Sequence, residues 1–157
     1  MYRHVQGTGS YDARILLVGE APGREEDRLG YPFAGQSGYK LNSWWFENGL
    51  TREMFRIENV YEYRPNEQND ITKVPLEVLE EWSRYLHERI TKFRNLWLIV
   101  PVGNVALRSL MRTPLDGHDV SITKYRGSIM RYVANDGREI KMIPTIHPAS
   151  IFHQKAK

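Results

Sequence analysis

The chain has 157 residues, 41% hydrophobic and 26% charged, with a formal net charge of +3 at pH 7 and no cysteine. That length buries a real core within a single domain, expected over residues 1–157. The missing cysteine excludes disulfides, thiolate metal sites and a cysteine nucleophile and fits the cytoplasm, and with no apolar run near the ~20 residues of a membrane span and no apolar leader at Met1–Gln6, neither a membrane nor export is expected.

Arg14 to Val18 reads as a short buried strand ended by Gly19. The stretch from Glu20 to Gly38 reads as one long loop, with Pro22, Pro32 and the glycines at 23, 30, 35 and 38; a loop of that length in a compact domain is usually functional. Ser37 is placed to cap a helix through Leu41, Trp44, Trp45 and Asn48 that stops at Gly49. Met54 to Tyr63 reads as a second strand and Arg64 to Asp70 as a polar loop. Pro75 opens an amphipathic helix to about Lys92 that carries Leu76, Leu79, Trp82, Leu86 and Ile90 on one face. Leu96 to Val102 has the continuous apolar character of a parallel strand covered on both sides, and Gly103-Asn104 turns it into a helix ending near Met111. Arg126 to Tyr132 and Arg138 to Pro144 flank Asn135-Asp136-Gly137, a hairpin turn signal. The alternation predicts an α/β fold, a three-layer αβα sandwich with a short, mainly parallel central sheet.

Two apolar strands stop abruptly at constrained corners: Leu17-Val18-Gly19-Glu20-Ala21-Pro22-Gly23 and Ile143-Pro144-Thr145-Ile146-His147-Pro148. Ligands of open α/β sheets bind outside the carboxyl ends of the strands, so the two corners predict a pocket rim. The first corner reads equally as a tight turn or as a loop whose N–H groups face a ligand; it has neither the Gly-Lys-Ser/Thr of a phosphate loop nor a dinucleotide fingerprint. Phe33 in Pro32-Phe33-Ala34-Gly35 is either a loop anchor or a ring that stacks on a flat ligand. Asn59 sits in a strand, where Asn is disfavoured, and is either satisfied by a neighbouring backbone or presents donor and acceptor to a base edge. His147 is either a structural strand-end residue or a group held to stabilise a developing anion. His4, His87, His118 and His153 lack metal-ligand spacing and read as surface residues. Lysine and arginine thicken at Lys92, Arg94, Lys124, Arg126, Arg131, Arg138 and Lys141, a solvated face or a polyanion footprint.

Together these segments resemble the uracil-DNA glycosylase superfamily, nearest to its iron–sulfur, thermophile-type (family 4) branch. Val18 to Gly23 with Glu25-Glu26-Asp27, Gly30, Pro32 to Gly35, Gly38 and Leu41 resembles the first motif, and Asn59-Val60 through Arg64-Pro65 the second. Leu98 to Leu110 resembles the apolar strand, glycine and helix segment; Ile122 to Gly127 and Ile143 to Pro148 resemble the closing hairpin and the His-Pro motif. The resemblance implies hydrolysis of the N-glycosidic bond of flipped-out uracil in DNA, leaving an abasic site, with catalysis mainly electrostatic. It implies that His147 stabilises charge at the uracil O2, that Phe33 stacks on the ring, and that Asn59 reads the N3–H and O4 edge. Glu20, with the backbone of Gly19 and Ala21, would hold base and water, and Glu26 would crowd the C5 position against thymine. The water-positioning residue maps to Asn66, Gln68 or Asn69, of which Asn69 is carried forward. Ser150 would contact a phosphate, Ile151 or Phe152 would fill the vacated stack, and Lys124 and Arg126 would approach DNA. The expected partner is uracil-containing DNA, single- or double-stranded, met by a monomer.

The departures are specific. The branch's cluster is held by four cysteines and this chain has none; Tyr63 and Trp82 stand where two are expected, the segment carrying the first pair is missing, and the chain ends about one helix short of typical relatives. No cofactor is therefore expected, with aromatic packing in place of the cluster, and the compact form suggests a viral or mobile-element relative. Two other functions fit the same residues: a glycosylase for another deaminated or modified base, and a non-catalytic DNA-binding module of viral replication.

Overall fold

The computed structural model describes residues 1–146. Five strands make one sheet: β1 (Ile15–Gly19), β2 (Phe55–Asn59), β3 (Leu98–Pro101), β4 (Met130–Val133) and β5 (Glu139–Met142), in the order β2-β1-β3-β5-β4. β2, β1, β3 and β5 run parallel, and β4 folds back antiparallel on β5 through the Asn135-Asp136-Gly137 turn. The register of β1 sets Gly19 opposite Asn59 on β2 and Val18 opposite Pro101 on β3. Side chains alternate across a strand, so neighbours in β1 serve different layers. Leu16 and Val18 join Ile99, Ile140 and Met142 against α3 (Leu76–Ile90) and α4 (Asn104–Leu110). Leu17 joins Ile57 and Val102 against Leu41 and Trp45 of α2 (Gln36–Glu47) on the opposite face. The result is the expected α/β sandwich with helices on both faces. No helix among the described residues is long and apolar enough to cross a membrane.

The differences from the sequence reading are local. The Glu20–Gly38 stretch holds a short helix, α1 (Arg24–Leu29), which buries no residue and so leaves no apolar periodicity to read. Its signal is electrostatic: Glu25, Glu26 and Asp27 lie in the first turn, where carboxylates oppose the positive end of the helix. α2 begins at Gln36, one residue ahead of Ser37, with Gly35 in extended conformation as its N-cap. The second strand is shorter than Met54–Tyr63, because residues 52–54 form a 3₁₀ turn and β1 diverges past Gly19. Its ladder still runs on through Val60 N–H to Gly19 O and Tyr61 N–H to Glu20 O, both at 3.0 Å. The expected Arg126–Tyr132 strand starts only at Met130, after a short helix α5 (Ile122–Tyr125). The outer edge of β2 is covered by the N-terminal segment, where Thr8 pairs antiparallel with Ile57.

His87 is not a surface residue: it lies on the buried face of α3, 5% exposed. Its Nε2 faces the Ser109 carbonyl at 3.0 Å, and its Nδ1 faces the hydroxyl of the equally buried Tyr132 at 2.7 Å. A carbonyl only accepts, so Nε2 carries the proton and Nδ1 accepts from Tyr132. That arrangement holds the ring neutral. Burial, and secondarily the positive charge of Arg112, lowers the His87 pKa from 6.5 to about 4. The folded state thus resists a proton that the unfolded chain takes up below pH 6.5, so this stability is complete above pH 6.5 and is lost as pH falls towards 4. The slope expected from this site is about 1.4 kcal/mol per pH unit over that window. Urea unfolding at pH 7.5, 6, 5 and 4.5 checks it: the native protein weakens progressively on acidification, and His87→Gln, which keeps a donor and an acceptor without titrating, flattens the slope.

Candidate active site

A cavity of about 770 Å³ opens at the carboxyl ends of β1, β2 and β3, where the sequence placed a pocket rim. Its walls come from the Glu20–Glu26 corner, the Phe33–Gly38 turn, Asn59, the Pro65–Asn69 loop and the Gly103-Asn104 start of α4. That volume accommodates a nucleobase with its sugar.

The floor is set by one missing side chain. A Cβ on Gly19 would lie 2.5 Å from Asn59 Oδ1 and 2.8 Å from Phe33 Cζ, so the amide and the ring meet over the bare backbone of residue 19. Asn59 is 4% exposed, and its carboxamide has no hydrogen-bond partner among the described residues. No buried side-chain nitrogen or oxygen among the described residues lacks a partner, so the Asn59 carboxamide opens onto the cavity it lines and is available to a ligand there. Phe33 serves as core anchor and cavity wall at once: it packs with Leu17, Leu41 and Trp45 and lines the cavity. Its backbone is left-handed, φ 53°, at a cost of order 1–3 kcal/mol. Arg52 offsets that cost by donating from Nη1 to the Phe33 carbonyl at 3.0 Å and from Nη2 to the Pro32 carbonyl. Gly38 lies directly beneath the Phe33 carbonyl and has no room for a Cβ.

Some of the polar groups brace the loops and others line the cavity. Glu26 is a brace: Oε1 accepts from Gly23 N–H at 2.8 Å, and Oε2 from Ala34 and Gly35 N–H at 3.1 and 2.8 Å. One carboxylate thereby ties the first glycine corner to the aromatic turn. Glu20 lines the cavity, and its carboxyl is raised from 4.5 to about 7, first by burial and then by the negative charge of Asp70. Of the three candidates in the polar loop, Asn69 lines the cavity. Asn66 is turned into its own loop, accepting from Gln68 and Asp70 N–H, and Gln68 is exposed. Ala21 lines the cavity beside Glu20.

On the outer side, Lys124 and Arg126 are exposed on and just after α5, whose Ile122 forms part of the cavity wall. Arg138, by contrast, turns inward and donates to the carbonyls of Ile90, Thr91 and Phe93 at the end of α3. The strand after β5 reaches the rim: Thr145 pairs with Val102 and its carbonyl accepts from Gly103 N–H at 3.1 Å. His147, Ser150, Ile151, Phe152 and His153 lie outside the described residues. Sequence reasoning missed Arg52 and Arg64, whose signal was a basic residue beside a glycine- or asparagine-rich loop. It also missed Asn104, whose Oδ1 accepts from Ile122 N–H at 2.7 Å and joins two walls.

Comparison with known proteins agrees with this geometry. The family model for the uracil DNA glycosylase superfamily matches residues 6–157. The chain belongs to the uracil-DNA glycosylase superfamily. It is 36% identical over 154 residues to the type-4 uracil-DNA glycosylase of Thermotoga maritima, covering 97% of this chain and 73% of that one. It is 33% identical over 151 residues to the type-4 enzyme of Archaeoglobus fulgidus, covering 96% and 73%.

As a member of the uracil-DNA glycosylase superfamily, the chain raises the question of the iron–sulfur cluster that its resemblance to the family 4 branch implied. The residues do not fit one. There is no cysteine, and no group of three or more His, Cys, Asp or Glu among the described residues could hold a metal. Tyr63 and Trp82 instead meet edge to face at 5.8 Å. His4 stacks on Tyr63 at 5.1 Å and donates from Nε2 to Glu62 Oε1 over 3.1 Å, while Tyr61 and Tyr85 close on Trp82 at 6.0 and 5.5 Å.

The Gly19 gap is testable with one methyl group. Gly19 lies in a strand with ordinary backbone geometry, so Gly19→Ala costs no backbone strain but forces the Asn59 amide and the Phe33 ring apart. Displacements near 1 Å at a reacting site cost about 100-fold. Gly19→Ala is expected to fold, to melt within a few degrees of the native protein, and to lose 10- to 100-fold or so in kcat/KM on its nucleic-acid substrate.

Proposed function

We propose that this protein is a uracil-DNA glycosylase that hydrolyses the N-glycosidic bond of uracil flipped out of DNA, without a cofactor, and leaves an abasic site that enters base excision repair. The observation that carries this reading is the Asn59 carboxamide, open to the cavity, meeting the Phe33 ring above Gly19. A carboxamide accepts at Oδ1 and donates at Nδ2. Uracil supplies the matching N3–H donor and O4 acceptor, whereas cytosine presents the opposite order. The ring of Phe33 supplies a stacking surface for an extruded base.

The chemistry follows from charge. As the glycosidic bond breaks, its electron pair goes to the uracil ring and the sugar becomes oxocarbenium-like. A water oxygen then bonds to C1′ and its proton passes to a nearby acceptor. Glu20 is suited to that role, because burial holds its pKa close to neutrality. Glu26 takes the Gly23 N–H and fixes the Gly19–Gly23 corner, whose backbone is proposed to hold the departing anion. His147 is proposed, from its motif alone, to stabilise the charge at O2. Lys124 and Arg126 are proposed to meet the phosphates, with Ser150 and Ile151 on the same side. Glu26 crowds the position of a C5 methyl in this reading while its oxygens are engaged by backbone.

A single-stranded and a double-stranded oligonucleotide carrying one uracil, incubated in EDTA and treated with alkali, test the proposal. Cleavage at uracil and none at thymine is the expected result. DNA binding without cleavage at uracil would refute it.

Glu20 gives a second test. Its carboxylate accepts a proton only when ionised, and the ionised fraction rises through pH 7. The rate under single-turnover conditions is therefore expected to climb between pH 6 and 8. Glu20→Gln is expected to lower it by roughly 10²- to 10⁴-fold and to remove that limb of the profile.

A further inference from the structure

The polar loop after β2 contains a charged group that the reaction scheme leaves unused. Arg64 is 7% exposed. Its Nε donates to Asn69 Oδ1 at 2.8 Å and its Nη2 to the Glu67 carbonyl at 2.7 Å; Nη1 faces Glu67 Oε2 at 3.5 Å, and the guanidinium lies 5.7 Å from the centre of the Tyr2 ring. Asn69, held at φ 56°, lines the cavity with its carboxamide against Gly23. A Cβ on Gly23 would lie 3.6 Å from Asn69 Nδ2.

A guanidinium carries donors and no acceptor. The atom of Asn69 that faces Arg64 is therefore the carbonyl oxygen, and the end left for the cavity is the NH₂ group. We infer that Arg64 is a positioning residue that fixes the polarity of Asn69, so that Asn69 meets the attacking water as a hydrogen-bond donor and never as an acceptor. This rests on the glycosylase function proposed above. It assigns the two water-handling groups opposite duties. Asn69 donates to the water oxygen and aims a lone pair at C1′, and Glu20, which lines the same cavity, accepts the proton. An Asn69 free to flip would present its carbonyl half the time and compete with Glu20 for that proton.

Three variants test the inference in single-turnover kinetics on a uracil oligonucleotide, with melting temperature and KM measured alongside. Arg64→Met is expected to lower kcat by 10- to 100-fold or so with KM nearly unchanged. Asn69→Ala is expected to match it, and the double variant to be no slower than Asn69→Ala, because Arg64 acts through Asn69. Asn69→Asp keeps and strengthens the bond to Arg64 while turning an acceptor into the cavity. It is expected to fold at least as stably as the native protein and yet to lose kcat as Asn69→Ala does. Should Arg64→Met not fold, Arg64→Lys keeps a donor and the charge, and the same double-variant comparison is made with it.

Asn69 side-chain amide resonances give a readout that does not depend on activity: they are expected to shift and broaden in the Arg64 variant. An Arg64 loss that multiplies with the Asn69 loss, or full activity in Asn69→Asp, would overturn the inference while leaving the glycosylase function intact. No uracil release by the native protein would instead overturn the function and this role together.

Discussion

The parallel pairing of β1 and β2 is the constraint on which the site depends. It sets Gly19 opposite Asn59 at the last paired residues of the two strands. Any side chain at position 19 would occupy the space that the Asn59 amide and the Phe33 ring share. The same rung commits the chain ahead of it, because Leu16, Leu17 and Val18 alternate between the two helical layers and pin the register. A one-residue slip would turn every one of these side chains to the other face and break the floor of the cavity at the same time.

Beyond that rung the walls are loops with few apolar contacts of their own, and charged side chains hold them. Glu26 gathers three backbone N–H groups from two loops, Arg52 takes two consecutive carbonyls around the strained Phe33, and Arg64 takes the Glu67 carbonyl and the Asn69 amide. Hydrogen bonds with one charged partner are about twice as strong as neutral ones. They suit loops that must stay open to a ligand, since they fix backbone without filling the space beside it. The ring cluster of His4, Tyr61, Tyr63, Trp82 and Tyr85 does the complementary work further out, joining the N-terminal segment, the chain after β2 and α3 by apolar contact.

Much of this was legible in the residues. Apolar runs ending at Gly19 and Val102, with a second strand read over Met54–Tyr63, gave away the strands and the edge at which a site must lie, and the Asn135-Asp136-Gly137 turn gave the hairpin. Asn59 stood out as an amide in a strand, and Phe33 as a ring among glycines. What stayed hidden was whatever depends on contacts between distant segments. α1 has no buried face and so no period. His87 looks like any helix-surface histidine until Tyr132 and Ser109 are brought to it from 45 and 22 residues away. Arg52 and Arg64 sit beside glycine- or asparagine-rich loops, but their roles stayed hidden because their main partners are backbone carbonyls and one amide oxygen. That Asn69, rather than Asn66 or Gln68, lines the cavity emerged only with the loop's own hydrogen bonds.

The most direct test of the account is a crystal structure of the protein with free uracil. The account predicts the base lying on the Phe33 ring above Gly19, with its N3–H donated to Asn59 Oδ1 and its O4 accepting from Asn59 Nδ2. Uracil bound elsewhere in the cavity, or with the Asn59 amide still facing no partner, would contradict it.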